Sequence, residues 1–175
     1  MGDDRSSDLT VPIEIKVIQG SILDADVEVI VNAANSLGIM GGGVAGAIKR
    51  AAGAEVDEEA RGQAPIPVGR AILTSGGKTR FHGIIHAPTM PQPAMRIDPE
   101  NVALATRAAL SLADTYGFHS LALPGMGTGV GGVVHEEAAS LMIQEIRQYT
   151  ARVLQMVVLV DVDLAMVRAW EACLK

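Results

Sequence analysis

Apolar residues recur along this chain in two rhythms, one of strands and one of helices. Ile13, Ile15 and Val17 alternate with Glu14 and Lys16, which predicts an edge strand with one buried face. Val27 to Val31 and Val153 to Val160 are nearly unbroken apolar runs, as expected of strands covered on both faces. Shorter runs at Arg70 to Thr74, Phe81 to Ala87 and Ser120 to Leu123 predict three more strands. Between them the spacing predicts helices over Gly43 to Ala52, Glu55 to Gln63, Pro99 to Tyr116, His135 to Tyr149 and Asp163 to Leu174. In the fourth of these, Ala138, Leu141, Met142 and Ile146 fall on one face. Strands that alternate with helices imply an α/β fold, a three-layer α/β/α sandwich around a mixed, largely parallel central sheet. Residues 1–12 are read as a flexible N-terminal arm and residues 13–175 as one domain, with the proline-dotted Pro88 to Pro99 stretch a surface loop inside it.

Composition narrows the function classes. Apolar residues make up 49% of the 175 positions and charged residues 19%, enough for a substantial core and too little charge for a disordered chain. The net charge of −6, with basic spots confined to Lys49-Arg50 and Lys78-Thr79-Arg80, argues against nucleic acid as a partner. A single cysteine, Cys173, excludes an internal disulfide framework and a thiolate metal cage. No run is long and apolar enough to span a membrane, and Met1 to Thr10 is polar, so the expectation is a soluble, cytoplasmic protein with no membrane partner.

Two glycine loops carry the candidate chemistry. Asn32-Ala-Ala-Asn35 closes an apolar strand, and Gly41-Gly42-Gly43 leads into a helix; far downstream, Gly125-Met-Gly-Thr-Gly-Val-Gly-Gly132 lies between a strand and a helix. Helix N-termini present backbone N–H groups without partners and positive partial charge, and glycine lets a phosphate approach that backbone closely. Two such loops suggest a ligand with more than one phosphate, bound outside the carboxyl ends of the strands. Gly77-Lys78-Thr79 imitates the end of a P-loop, but Ile72 stands where that motif needs its first glycine. Gly127 to Gly132 matches the dinucleotide fingerprint G-x-G-x-x-G, with Asp161 as a candidate ribose acid, yet too little chain follows for the usual nucleotide-binding half. His82 and His86 share a strand face and read as packed or surface histidines rather than metal ligands. Asn32 is expected to tie up loop backbone, whereas Asn35, nearer the glycines, could offer its amide to a ligand hydroxyl.

Taken together, Asn32-Ala-Ala-Asn35, the five-residue gap, Gly41-Gly-Gly-Val-Ala-Gly-Ala-Ile48 and the later Gly-Thr-Gly-Val-Gly-Gly loop resemble the macrodomain family, whose members bind ADP-ribose. The resemblance runs from Ile13 to the last helix and implies a mixed sheet between helices. By position it implies that Ser21 and Ile22 meet adenine and that Asn35 meets the distal ribose. Gly42, Gly43, Val44 and Ala45 would flank one side of the diphosphate, and Gly127, Thr128, Gly129, Val130 and Gly131 the other. Three positions depart from the family pattern. Ser21 replaces the Asp that accepts from the adenine amino group, which leaves Asp24 and Asp161 as substitute carboxylates. Ala45 and Lys49 stand where efficient hydrolase members carry Asp and His, so a general base of that type is missing. Gly131 replaces a Phe or Tyr beside the distal ribose, which leaves the far end of the pocket open. The resemblance thus implies a binder of free or protein-linked ADP-ribose, without cofactor or metal and with at most slow hydrolysis of distal-ribose adducts. The alternative it implies is an ester hydrolase in which Asn35 orients the ribose and a water held by the ligand's own phosphate attacks.

Overall fold

The computed structural model describes residues 10–175. Six strands form one sheet: β1 (Glu14–Gln19), β2 (Val29–Asn35), β3 (Ile72–Thr74), β4 (Gly83–Met90), β5 (Ser120–Leu123) and β6 (Met156–Asp161). Five helices accompany them: α1 (Gly43–Ala52), α2 (Ala54–Gly62), α3 (Glu100–Thr115), α4 (His135–Gln148) and α5 (Leu164–Leu174). The strand order is β1-β6-β5-β2-β4-β3, parallel throughout except for β3, which runs antiparallel to β4. That order differs from the 3-2-1-4-5-6 of dinucleotide-binding folds, so the fingerprint at Gly127 to Gly132 sits in another architecture.

Alternate residues of each strand serve the two faces, as the pleat requires. Val29, Val31, Ile85, Leu121, Leu123, Val157 and Leu159 pack with α3, α4 and α5, where Trp170 is fully enclosed. Ile30, Ile84, Ala122 and Val158 pack on the opposite face with Ile48 of α1 and Val56 of α2. The result is the three-layer sandwich. No helix among the described residues is long and apolar enough to cross a membrane.

Differences from the expected elements have local causes. The apolar run at Val153 starts as a turn because Asp114 of α3 accepts from the N–H groups of Val153 at 2.7 Å and Leu154 at 2.9 Å, which delays β6 to Met156. Burial alone would raise the Asp114 pKa, but these backbone donors and the Tyr149 hydroxyl outweigh it and hold the carboxyl below its ordinary range. β2 starts later than expected and continues through both asparagines because Asn32 pairs with His86 and Ala33 with Ala87 on β4. Pro88 is tolerated in β4 since β3 reaches only as far as the Ile72–His86 pairing, leaving β4 one strand neighbour there. Of the expected N-terminal arm, residues 1–9 lie outside the described residues, and Val11 is already tied to Ala151 by a bridge.

Candidate functional site

Parallel strands send their carboxyl ends to one edge of the sheet, so the loops after β2, β4, β5 and β6 gather there. β2 and β5 are neighbours, yet β2 leads to α1 on one face and β5 to α4 on the other. Chains that diverge to opposite faces leave a crevice between them, the usual ligand position in such sheets. Clefts of about 300 to 1,000 Å³ hold small ligands; here the volume is ≈ 520 Å³, and both glycine loops line it.

The first loop is held rigidly from behind. Asn35 Oδ1 accepts from the N–H groups of Leu37 at 3.1 Å and Ile39 at 3.3 Å, and its Nδ2 donates to the Ile39 carbonyl at 2.8 Å. Asn35 therefore ties the loop, the role expected of Asn32, while keeping one amide N–H for the cleft it lines. Asn32 instead donates from Nδ2 to His86 Nδ1 at 3.2 Å across the sheet, and its Oδ1 is buried without a partner among the described residues. Gly38, at φ +71°, passes so close to α2 that a Cβ would lie 2.9 Å from the Ala60 carbonyl oxygen. The Met40 N–H donates to Asp57 Oδ1 at 3.4 Å, and Asp57 is itself bracketed by Lys49 at 3.2 Å and Arg61 at 3.3 Å. Lys49, at the position where the resemblance places a histidine in hydrolase members, is thus engaged with Asp57.

At the start of α1, Gly42 supplies no side-chain cap and the first turn holds no acid. The N–H groups of Gly43, Val44 and Ala45 bond no acceptor among the described residues, as expected of an uncapped first turn. Added Cβ atoms at Gly42 and Gly43 would enter open space. In the second loop three carbonyls are taken up by backbone donors: Gly127 O accepts from Val133, Gly129 O from Gly132, and Gly131 O from Ile97, all at 3.0–3.1 Å. The N–H groups of Thr128, Gly129, Val130 and Gly131 have no protein acceptor among the described residues. A run of N–H groups left without acceptors makes this second loop, like the first, suited to an anion.

Of the residues singled out in the sequence, Asn35, Gly42, Gly43, Val44, Ala45, Gly127, Gly129, Val130 and Gly131 line the cleft, whereas Ser21, Ile22, Thr128 and Asp161 do not. Ser21 caps a single 3₁₀ turn over Ile22–Asp24, its Oγ accepting from the Leu23 N–H at 3.2 Å, and the Ile22 side chain is buried. Asp161 has both carboxylate oxygens committed, one to the Gly125 N–H and one to the Asp163 N–H, each at 2.9 Å. It fixes the second loop to the end of β6 rather than presenting a free carboxylate. Asp24 is exposed in the 3₁₀ turn.

Sequence reasoning missed one wall. Thr89, Met90, Pro93 and Ala94 also line the cleft. They follow β4, which neighbours β2, and the missing signal was strand order. This segment is anchored where Asn101 donates to the Thr89 carbonyl at 2.9 Å and Ile97 donates to the Gly131 carbonyl at 3.0 Å. No charged side chain lines the cleft among the described residues.

Comparison with known proteins follows the same outline. The family model for the Macro domain matches residues 31–142. An uncharacterized protein of Aquifex aeolicus is 57% identical over 162 residues, 93% of this chain and 98% of that one. The chain spans 45% of the length of a Mycobacterium tuberculosis relative that is 39% identical over 163 residues. Among solved structures, an Oceanobacillus iheyensis macrodomain variant with ADPR superposes with a TM-score of 0.81 at 29% identity, covering 91% of each chain. A Trypanosoma brucei macrodomain in complex with ADP-ribose gives 0.83 at 26% identity, over 95% of this chain and 75% of that one.

Proposed function

Because the chain belongs to the macro domain family, we propose that its cleft binds ADP-ribose, free or attached to protein, with the diphosphate between the two glycine loops. One observation carries this reading: two sets of unpartnered backbone N–H groups, one at the start of α1 and one in the Thr128 to Gly131 loop, border a single uncharged cleft. A diphosphate is the ligand part that such a neutral, donor-rich slot suits. Asn35, with one amide N–H to spare, serves the distal ribose. Adenine extends towards the Ser21 turn at the end of β1.

The protein acts chiefly as a binder. Efficient ester or glycosidic hydrolysis calls for a positioned base, and no carboxylate, histidine, cysteine or lysine lines the cleft among the described residues. Any turnover of distal-ribose adducts is slow and rests on water held by the ligand's own phosphate. Calorimetric titration tests the reading: ADP-ribose binds with Kd on the order of micromolar, about −8 kcal/mol, and AMP, lacking the second phosphate and distal ribose, binds far more weakly. No heat of binding at millimolar ADP-ribose would overturn it.

A further inference from the structure

We propose that the free edge of β1 pairs with the same strand of a second copy of this chain, antiparallel about a two-fold axis at Ile15, so that two sheets join into one. β1 ends the strand order and has β6 as its one strand neighbour among the described residues. The N–H groups of Glu14 and Gly20 donate to the carbonyls of Gln155 at 2.8 Å and Asp161 at 3.0 Å, on the β6 side. Backbone groups of successive residues alternate between the two sides of a strand, so those of Ile15 and Val17 face away from β6. Unpaired groups along a sheet edge are a template for a further strand.

Charge selects both the occupant and the register. An edge guarded against its own copy carries charge of one sign, whereas the exposed Glu14 and Lys16 are of opposite sign and two positions apart. Setting Ile15 opposite Ile15 of the other copy brings Glu14 opposite Lys16 and Lys16 opposite Glu14, two complementary pairs about one axis. It also brings Ile13 opposite Val17 twice, on the face that packs with α4 and α5. A slip of two residues either way, the smallest that keeps the outward-facing backbone groups opposed, sets Glu14 against Glu14 or Lys16 against Lys16. Like charges directly opposite are destabilising. Apolar surface lies open on both faces of this edge. Ile18, 44% exposed, comes opposite Pro12, and a cavity of ≈ 420 Å³ with Ile13, Ile15 and Ile146 in its wall lies beside the incoming Val17. The two copies run antiparallel, so the carboxyl ends of their strands, and with them the two clefts, face opposite directions, and the contact does not depend on what either cleft binds.

Sedimentation equilibrium of the full chain over about 1 to 500 μM tests the contact; a strand edge is a small interface, so the wild type dimerises with Kd on the order of 10 to 100 μM. Glu14→Lys and Lys16→Glu each weaken self-association about tenfold or more, because each alone sets like charges opposite one another twice. Mixed in equal amounts, the two variants pair with each other to within about threefold of the wild-type Kd, since every lysine then meets a glutamate. The chain that carries both changes dimerises in the same way on its own, which keeps the test decisive should one single variant not fold. Both side chains are exposed, and thermal unfolding checks that the variants are folded. A wild type that stays monomeric throughout overturns the pairing, as do folded single variants that dimerise as well as wild type. A loss that neither the mixture nor the double variant restores overturns it too.

Discussion

His86 makes the stability of this fold depend on pH between the ordinary histidine range and mild acid. The side chain is fully buried in β4, with Asn32 Nδ2 at 3.2 Å from Nδ1 and Thr74 Oγ1 at 3.0 Å from Nε2. The Thr74 hydroxyl donates to the Ser75 carbonyl at 3.1 Å, so it accepts from Nε2–H, and Nδ1 is the acceptor for Asn32. A second proton on the ring would point at the Asn32 amide and place a charge in the core. Burial pushes the pKa down from 6.5 to about 4, against the smaller attraction of Glu59 and Asp57. Because the unfolded chain binds this proton first, the contribution is complete above the unfolded value and is lost as pH falls towards the folded one. A displacement of that size corresponds to about 3 kcal/mol, a large part of a typical domain's stability. Urea unfolding of wild type and His86→Gln at pH 7 and pH 4.5 measures it. The variant is less stable at neutral pH, and wild type loses about 2 to 3 kcal/mol more than the variant across the window, since the other ionising groups largely cancel in the difference. Equal losses in the two proteins would refute the reasoning.

Two predictions concern the ligand. Gly42 has ordinary extended backbone at φ −107° and nothing within 4 Å of an added Cβ, whereas Gly43 lies at φ +59°, so Gly42→Glu tests the phosphate site without backbone strain. The introduced carboxylate costs about 3 kcal/mol against a nearby phosphate, and calorimetry shows at least a hundredfold loss of ADP-ribose affinity with unchanged thermal unfolding; normal binding by the folded variant would remove the first loop from the phosphate site. Ser21 Oγ accepts from the Leu23 N–H and keeps its own proton free to donate, so inosine-diphosphate-ribose binds within a few-fold of ADP-ribose, while Ser21→Asp favours adenine by about 1 to 3 kcal/mol. A wild-type preference for adenine near a hundredfold in competition titration would show that another group reads the base.

The sequence was most legible where local chemistry and packing agree. α1 and β5 occupy the spans read from it, because a glycine-led apolar helix and a short buried run admit few alternatives. Only the loop-tying role was misplaced: Asn35, and not Asn32, ties the loop backbone. Asn32 looks like the first residue of a loop, and only the β2–β4 register brings His86, distant in sequence, to satisfy it inside the sheet. Asn35 bonds residues two and four positions ahead, a pattern local enough to be found by an Asx-turn reading of Asn35-Ser-Leu-Gly38. The Met90 to Ala94 wall was hidden for the same reason as the role of Asn32: it follows a strand whose neighbour is set by long-range order, and prolines signal a loop without saying what it faces.

An acidic chain that offers a neutral slot to an anion must keep its carboxylates behind the loops, and here they stabilise those loops. Asp57 accepts from Met40 and is bracketed by Lys49 and Arg61; Asp161 accepts from Gly125 and Asp163. In each case a carboxylate takes up backbone N–H groups on the side away from the cleft, which fixes glycine-rich backbone that would otherwise lose more freedom on folding than any other sequence. Among the N–H groups left without a partner among the described residues are those of Gly43 to Ala45 and Thr128 to Gly131. On the proposed reading, loop rigidity and ligand affinity have separate sources: acids behind the loops hold them in place, and the main chain in front supplies the donors. Replacing a cleft glycine alters the surface the ligand meets, whereas replacing Asp57 or Asp161 alters whether that surface is held at all.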